Sequence, residues 1–418
     1  MNTFYTHFRH NLPLLIFTCF IFFSAYQGWK SPYYTWDVLP YVGSAYSLTV
    51  LSDSVVHKKT YSIAKATLPV GVYNEFTKSL WQGTENSTDI MGSYHANMAQ
   101  NPSDFAQQFP FYKVKPLYVG FLYLAILVNI NPFYAAVMIS IIASVFIAFL
   151  LFYWLSKYMS AWWAVLWSIG LLLAAAFQDI IAMTTPDIFS AAFILLGFYF
   201  FVEKGSFNRA FVCLLASTFV RGDNFLIVFL FLILEKFFAG KKISWNTFII
   251  SSAFVFSLLI SIEYSAHAYS WKTLFYHTFI HTIDQPLVYH PAVTVGLYLD
   301  TFIHGLRMKP PSNVGFFFLM LAAFAFVFHR SIFSKDKNRM LHAFHVILAY
   351  IFLRFCIFPS FSPRFFFVYY LIIGVYFVAE AGMVIGGYSN IELLPSSEFI
   401  KRILPNADKP KISLQRRH

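Results

Sequence analysis

Apolar runs long enough to form membrane-spanning helices recur along the chain and are separated by short polar segments. The clearest runs cover 11–29, 133–156, 161–178, 188–203, 246–266, 313–329, 341–359 and 365–388. Each is close to the roughly 20 residues that a helix needs to cross a hydrocarbon core. Because a helix satisfies its own backbone hydrogen bonds in lipid, this pattern predicts an all-α polytopic membrane protein.

Three shorter apolar runs need separate treatment. The runs 210–220 and 224–238 flank Arg221-Gly222-Asp223 and predict two helices that meet at a polar tip. The run 117–130 would extend only roughly 20 Å as a helix, too short to cross comfortably. We therefore predict an interfacial or re-entrant helix over 117–130, and a bundle of about ten spans in total.

The charge of the chain supports this topology. Only 12% of the residues are charged, against about 25% in a soluble domain. The formal charge of +11 is spread over short loops and forms no patch, so nucleic acid is not a predicted partner. If 117–130 does not cross, one side of the membrane, shared with the N-terminus, collects the basic residues Lys157, Lys204, Arg209, Lys236, Lys241, Lys242, Arg330, Lys335, Lys337 and Arg339. The positive-inside rule then places both termini in the cytoplasm.

These assignments divide the chain into a transmembrane domain and a C-terminal tail. Residues 1–390 form one transmembrane domain with outer loops over 30–132 and 267–312, and a basic cytoplasmic tail covers 391–418. The first loop is rich in aromatic residues and has no low-complexity run, so we predict that it folds into surface helices.

Five polar residues stand at predicted outer helix ends. They are Asp37, Lys115 before Pro116, Asp187 in Thr184-Thr185-Pro186-Asp187, Arg221 beside Asp223, and Arg364 in Phe361-Ser362-Pro363-Arg364-Phe365. Each has an ordinary interpretation on its own: a solvated loop acid, a lysine that reaches to headgroups, a helix-capping acid or a local Arg221–Asp223 pair. The predicted topology places all of them at one membrane face. Such a set suits an anionic headgroup whose lipid tail stays in the bilayer.

On these residues the chain resembles the GT-C superfamily of membrane glycosyltransferases, which includes protein mannosyltransferases and the lipid A aminoarabinose transferase. Asp37 matches the acid that follows the first span in this superfamily, and Lys115-Pro116 matches a Lys-Pro pair that enters a surface helix. Asp187, or less well Asp179, matches a second acid, and Arg364 matches a late arginine. The chain lacks the soluble C-terminal domain of larger members, and Asp37 stands alone where many relatives pair two acids.

The resemblance implies a GT-C-like bundle and a role for each residue. Asp37 would be the catalytic base, Lys115, Arg221 and Arg364 would bind the donor phosphate, and Asp187 would orient the acceptor or Lys115. The enzyme would move a sugar from a polyprenyl-phosphate carrier to a lipid, glycan or protein acceptor on the outer face, by one inverting displacement and without a cofactor. Its place would be the bacterial inner membrane.

Other functions remain open from the sequence. A lipid-glycan ligase or polymerase would use a diphosphate-linked oligosaccharide, and a flippase or transporter would need binding residues near the middle of the bilayer. His277, His281 and Asp284 would share one face of a helix, a spacing that permits zinc. We expect them instead to face headgroups, with no metal bound.

The topology can be tested by cysteine labelling of a variant in which Cys19, Cys213 and Cys356 are replaced. New single cysteines at Ser93 and Ser270 should react with an impermeant thiol reagent added outside, and one at Ser334 should not. If Ser93 labels and Ser270 does not, the segment 117–130 crosses the membrane.

Overall fold

A computed structural model describes residues 2–49, 52–78, 90–237, 243–307, 339–360 and 362–386. The predicted span 313–329 and the basic tail 391–418 lie outside these residues. Every regular element in the described ranges is helical, and the only extended pairing found there is an isolated parallel bridge between Tyr33 and Met183. The described structure is therefore that of an all-α protein.

The helices follow one another through short connections. In chain order they are α1 Asn2–Lys30, α2 Val38–Ser47, α3 Asp53–Thr67, α4 Val70–Thr77, α5 Ile90–Gln100, α6 Pro102–Ala106, α7 Phe109–Lys113, α8 Pro116–Leu127, α9 Pro132–Leu155, α10 Ala161–Ala174, α11 Phe177–Ile181, α12 Asp187–Lys204, α13 Phe207–Val220, α14 Phe225–Phe237, α15 Trp245–Ala266, α16 Trp271–Phe279, α17 Val295–Arg307, α18 Arg339–Ile357 and α19 Pro363–Gly386. A 3₁₀ turn at Gly222–Asn224 separates α13 from α14.

Four of the described helices are long and apolar enough to cross a membrane: Asn11–Lys30 of α1, α9, α15 and α18. Shorter apolar helices include α8, α10, α13 and Pro363–Ala379 of α19. These lengths support a membrane protein, as predicted. The 12 residues of α8 extend about 18 Å, in agreement with a helix that is too short to cross.

One predicted span is interrupted. The run 161–178 was expected to form a single helix, but α10 ends at Ala174 and the short helix α11 begins at Phe177. Between them Ala176 has a φ of 59°, in the left-handed region. A residue in that conformation cannot continue a right-handed helix, so the chain changes direction here.

Two hydrophobic cores organise these helices. The bundle core combines residues of α1, α9, α10, α12, α13, α14, α18 and α19. The loop core is built mainly by the segment 30–132, whose helices α2–α8 pack on one another and on the first turns of α9. The contact is close at Gly43 of α2, where an added Cβ would lie 2.7 Å from the Phe109 ring and 2.9 Å from Phe105. The described residues of the long first loop thus form a folded layer with its own core.

A short extended segment after α1 fixes the position of this layer against the bundle. The Tyr33 amide donates to the Ala182 carbonyl at 2.6 Å, and the Thr184 amide donates back to the Tyr33 carbonyl at 3.3 Å. Asp37 and Asp187 follow these paired residues shortly afterwards. Two acids far apart in sequence are therefore held beside each other.

Candidate active site

All five predicted site residues lie at or beside helix ends. Asp37 precedes α2, Lys115 precedes α8, Asp187 begins α12, Arg221 follows α13, and Arg364 lies in the first turn of α19. Neither Asp37 nor Pro186, the residues before α2 and α12, caps its helix through a side-chain hydrogen bond. The Asp37 carboxylate is therefore free to make tertiary contacts.

Arg364 joins the two acids. Its Nη1 lies 3.6 Å from Asp37 Oδ2, and its Nε lies 4.0 Å from Asp187 Oδ2. The other Asp187 oxygen accepts a hydrogen bond from Arg221. Four of the predicted residues thus form one continuous chain of charge.

This chain of charge continues through Asp223. Arg221 donates to both Asp223 oxygens, from Nε at 3.0 Å and from Nη2 at 2.7 Å. Arg354 of α18 donates to Asp223 Oδ2 at 3.0 Å. From the sequence alone, a local Arg221–Asp223 pair is the simple alternative to a functional role. This pair does form, but Arg221 also binds Asp187.

Lys115 is held by aromatic side chains. Its ammonium donates to the Tyr41 hydroxyl and lies 4.7 Å from the Tyr41 ring centre and 5.2 Å from that of Tyr112. Tyr112 in turn donates to Asp37 Oδ1 at 2.8 Å. Burial lowers the pKa of Lys115 to about 8, although nearby Asp37 opposes that shift. Within the described ranges, no carboxylate lies within ion-pair distance of Lys115, so this cation is left to meet a ligand.

These residues form what we call the charge cluster: Asp37, Lys115, Asp187, Arg221, Asp223, Arg354 and Arg364. It contains four cations and three carboxylates, so with Lys115 protonated it carries one excess positive charge. The guanidinium carbons of Arg221, Arg354 and Arg364 lie 4.8, 4.9 and 4.8 Å from the centre of the Phe365 ring. An aromatic ring attracts cations at such distances and here holds three like charges together.

Exposure divides the charge cluster into an open and a closed part. The side chains of Asp37, Arg364 and Asp223 are 34%, 26% and 35% exposed, whereas those of Asp187, Arg354 and Arg221 are 5%, 5% and 12% exposed. Both oxygens of Asp223 are already bound by arginine side chains. A small cavity beneath them is lined by Asp187, Arg221 and Arg364 among others. Asp37 and Arg364 are therefore placed to touch a substrate, while the closed part orients them.

Several contributors were not among the predicted site residues. Arg354 lies in the last turn of α18, and an arginine within an apolar helix is itself a signal of a functional or paired charge. Tyr41 and Tyr112 carry no such signal, because aromatic residues are common throughout this chain. Asp179, the weaker choice for the second acid, is exposed on α11 and lies outside the charge cluster.

The histidines of the 267–312 segment do not share the predicted helical face, because α16 ends at Phe279. His277 Nδ1 accepts a hydrogen bond from the Ile283 amide at 2.9 Å, and its ring stacks on Phe111 at 4.8 Å. Burial lowers the pKa of His277 to about 4, so its ring is neutral near pH 7. In the parts of the chain that the structure describes, no three His, Cys, Asp or Glu residues are grouped to hold a metal ion.

The structural role of the ion pairs that Asp223 makes with Arg221 and Arg354 can be tested with Asp223→Asn. This change leaves two buried guanidinium groups without the carboxylate that they share. We expect the free energy of unfolding in detergent micelles to fall by about 3 kcal/mol, the lower end of the range for breaking a buried ion pair, because Asp223 is about one-third exposed. Asp179→Asn is the matched control and should change it by less than about 0.5 kcal/mol. Equal effects of the two substitutions would contradict the role of Asp223.

No protein-family model, curated protein or solved structure matches this chain. The function therefore has to be inferred from the charge cluster and from the apolar helices that carry it.

Proposed function

We propose that this protein is an integral-membrane glycosyltransferase of the GT-C type, which moves a sugar from a polyprenyl-phosphate carrier to a lipid, glycan or protein acceptor. The main observation in support is the accessible Asp37 carboxylate beside Arg364 and Lys115, in a cluster with one excess positive charge. In this proposal the chain has about ten spans, with both termini in the cytoplasm of a bacterium and the site at the outer face.

The donor phosphate matches the chemistry of this cluster. A sugar linked to a lipid through a phosphodiester brings one negative charge, which would neutralise the single excess charge. Lys115 has no ion-pair partner in the described residues, and Arg364 reaches Asp37 only at 3.6 Å, so both retain hydrogen-bonding capacity for phosphate oxygens. Arg221 would act at longer range, since Asp187 and Asp223 already bind it.

Asp37 is the carboxylate that would accept a proton, because both oxygens of the equally exposed Asp223 are bound by arginines. Tyr112 occupies its Oδ1, which leaves Oδ2 facing Arg364 and the open side of the cluster. In the proposed step, the acceptor oxygen forms a bond to the anomeric carbon as that carbon's bond to the phosphate oxygen breaks. The acceptor hydroxyl proton passes to Asp37, and the lipid phosphate leaves as an anion.

This step needs one base and no general acid. A phosphate is already a good leaving group, and cations placed around it stabilise the charge that develops as the bond breaks. A single displacement inverts the anomeric carbon, unlike retaining glycosidases, which require a second carboxylate as nucleophile. Asp187 lies against Arg221 and Arg364 and would orient them.

Transfer can be measured with the purified full-length chain in nanodiscs. The donors are a panel of polyprenyl-monophosphate sugars, and mass spectrometry detects the glycosylated acceptor. Unlabelled polyprenyl-diphosphate oligosaccharide serves as a competitor. No turnover with any monophosphate donor, together with binding of the diphosphate alone, would contradict the proposal in favour of a ligase.

Asp37→Asn tests the base directly. The amide keeps the size of the side chain but cannot accept the proton, so the transfer rate should fall by about 10²–10⁴. Donor affinity should change little, because Lys115 and Arg364 remain. Asp179→Asn, an exposed acid outside the cluster, should keep full activity. A fully active Asp37→Asn enzyme would contradict this assignment.

Donor binding should depend on pH through Lys115. Since its pKa is about 8, this side chain loses its charge as the pH rises through that value. The donor phosphodiester stays ionised throughout, so its affinity should decrease above pH 8, at most tenfold per pH unit for one proton. Isothermal titration calorimetry between pH 7 and 9.5 measures this affinity for the donor.

Two substitutions check the origin of that pH dependence. Lys115→Gln should bind the donor weakly at every pH in this range, with little slope. Lys115→Arg keeps a charge that does not titrate here, so any affinity that it retains should not decrease with pH. A wild-type affinity that is flat from pH 7 to 9.5 would show that Lys115 does not contact the phosphate.

A further inference from the structure

A second cavity lies where α1, α9 and the α3–α4 connection meet. We call it the aromatic cleft. It has a volume of about 480 Å³, within the range of small-molecule sites. Its lining includes Tyr26, Trp29, Lys30, Tyr34 and Tyr134.

The polar groups of the aromatic cleft are suited to an anionic ligand. Lys30 is exposed at its rim, and no Asp or Glu is among the lining residues. In the described part of the chain, no carboxylate lies within ion-pair distance of Lys30. Burial, with a smaller contribution from Tyr134, raises the pKa of Tyr34 to about 12, so its hydroxyl stays protonated and can donate.

The apolar surroundings of the cleft indicate that the ligand has a hydrocarbon part. On α1, Leu15, Phe22, Tyr26 and Trp29 are between 46% and 60% exposed and fall on one face of the helix. On α9, Tyr134, Met138 and Ile142 are exposed at four-residue intervals, which also places them on one face. The two stripes meet where the Trp29 and Tyr134 rings are 5.9 Å apart.

The position of the cleft relates it to the membrane and to the candidate active site. α1 and α9 are two of the helices long enough to span, and the cleft lies where α1 ends and α9 begins. Tyr34 is three positions before Asp37, so their Cα atoms are at most about 10 Å apart. A molecule in the cleft would therefore lie at the membrane boundary and near the site.

We propose that the aromatic cleft binds one anionic glycerophospholipid. Its phosphate lies at Lys30 and the Tyr34 hydroxyl, its glycerol region lies against Trp29 and Tyr134, and its acyl chains follow the α1 and α9 stripes. Charge complementarity favours an anionic over a zwitterionic headgroup. This site does not depend on the proposed transfer reaction, and its test measures binding alone.

Native mass spectrometry of the delipidated full-length chain, titrated with phosphatidylglycerol or phosphatidylcholine, can detect this lipid. The wild type should retain one phosphatidylglycerol with clear preference over phosphatidylcholine. Lys30→Gln should weaken phosphatidylglycerol binding about fivefold, the scale of one lysine at an anionic membrane surface. Tyr134→Ala should weaken both lipids, because it removes an apolar wall of the cleft.

The matched control is Lys58→Gln, which removes another exposed lysine, from α3 and outside the cleft. It should bind phosphatidylglycerol like the wild type, and all variants should melt at the wild-type temperature. Equal losses in the two lysine variants would overturn the proposal in favour of general surface electrostatics. Equal retention of both lipids, or binding of glycerol 3-phosphate as tightly as the lipid, would also overturn it.

Discussion

The arrangement of this protein depends on neutralising several charges that lie among apolar helices. Arg221 and Arg354 are 12% and 5% exposed, and both use Asp223 as a partner. Removing one partner from such a group leaves an uncompensated charge in a poorly hydrated place, which costs far more than an exposed pair contributes. The ends of α12, α13, α18 and α19 must therefore stay together, and their meeting point is where the accessible part of the charge cluster is built.

The accessible part uses a different physical principle. Asp37 and Lys115 come from the loop layer, whose position depends on the paired backbone at Tyr33 and Thr184 and on the loop core. Lys115 is held by the Tyr41 and Tyr112 rings and not by a carboxylate. A cation held in this way keeps its charge available, whereas a direct salt bridge would occupy it. The contrast between closed ion pairs and an unpaired cation is the main structural support for an anionic substrate.

Two neighbouring sites for amphiphilic molecules would suit an enzyme that works at a membrane boundary. The charge cluster offers excess positive charge and an accessible carboxylate, which match a phosphate-linked donor and a proton to be removed. The aromatic cleft offers one lysine, phenol hydroxyls and a path of exposed apolar side chains, which match a lipid that is bound and not transformed. The segment that contains Tyr34 and Asp37 contributes a residue to each.

The amino-acid sequence was sufficient to predict the all-α class, the approximate bounds of most of the described long apolar helices and the residues that needed an explanation, because run length and the rarity of charge within apolar sequence are local properties. It correctly predicted a short helix near 117–130 and a helix pair joined at Arg221–Asp223. It could not show the break at Ala176, since a left-handed alanine has no distinctive sequence signal. The folded chain was needed to show that Arg354 shares Asp223, that Tyr112 binds Asp37, and that Asp179 stays outside the cluster. These relationships concern segments that are far apart in the chain, and the packing of two hydrophobic cores sets the distances between them.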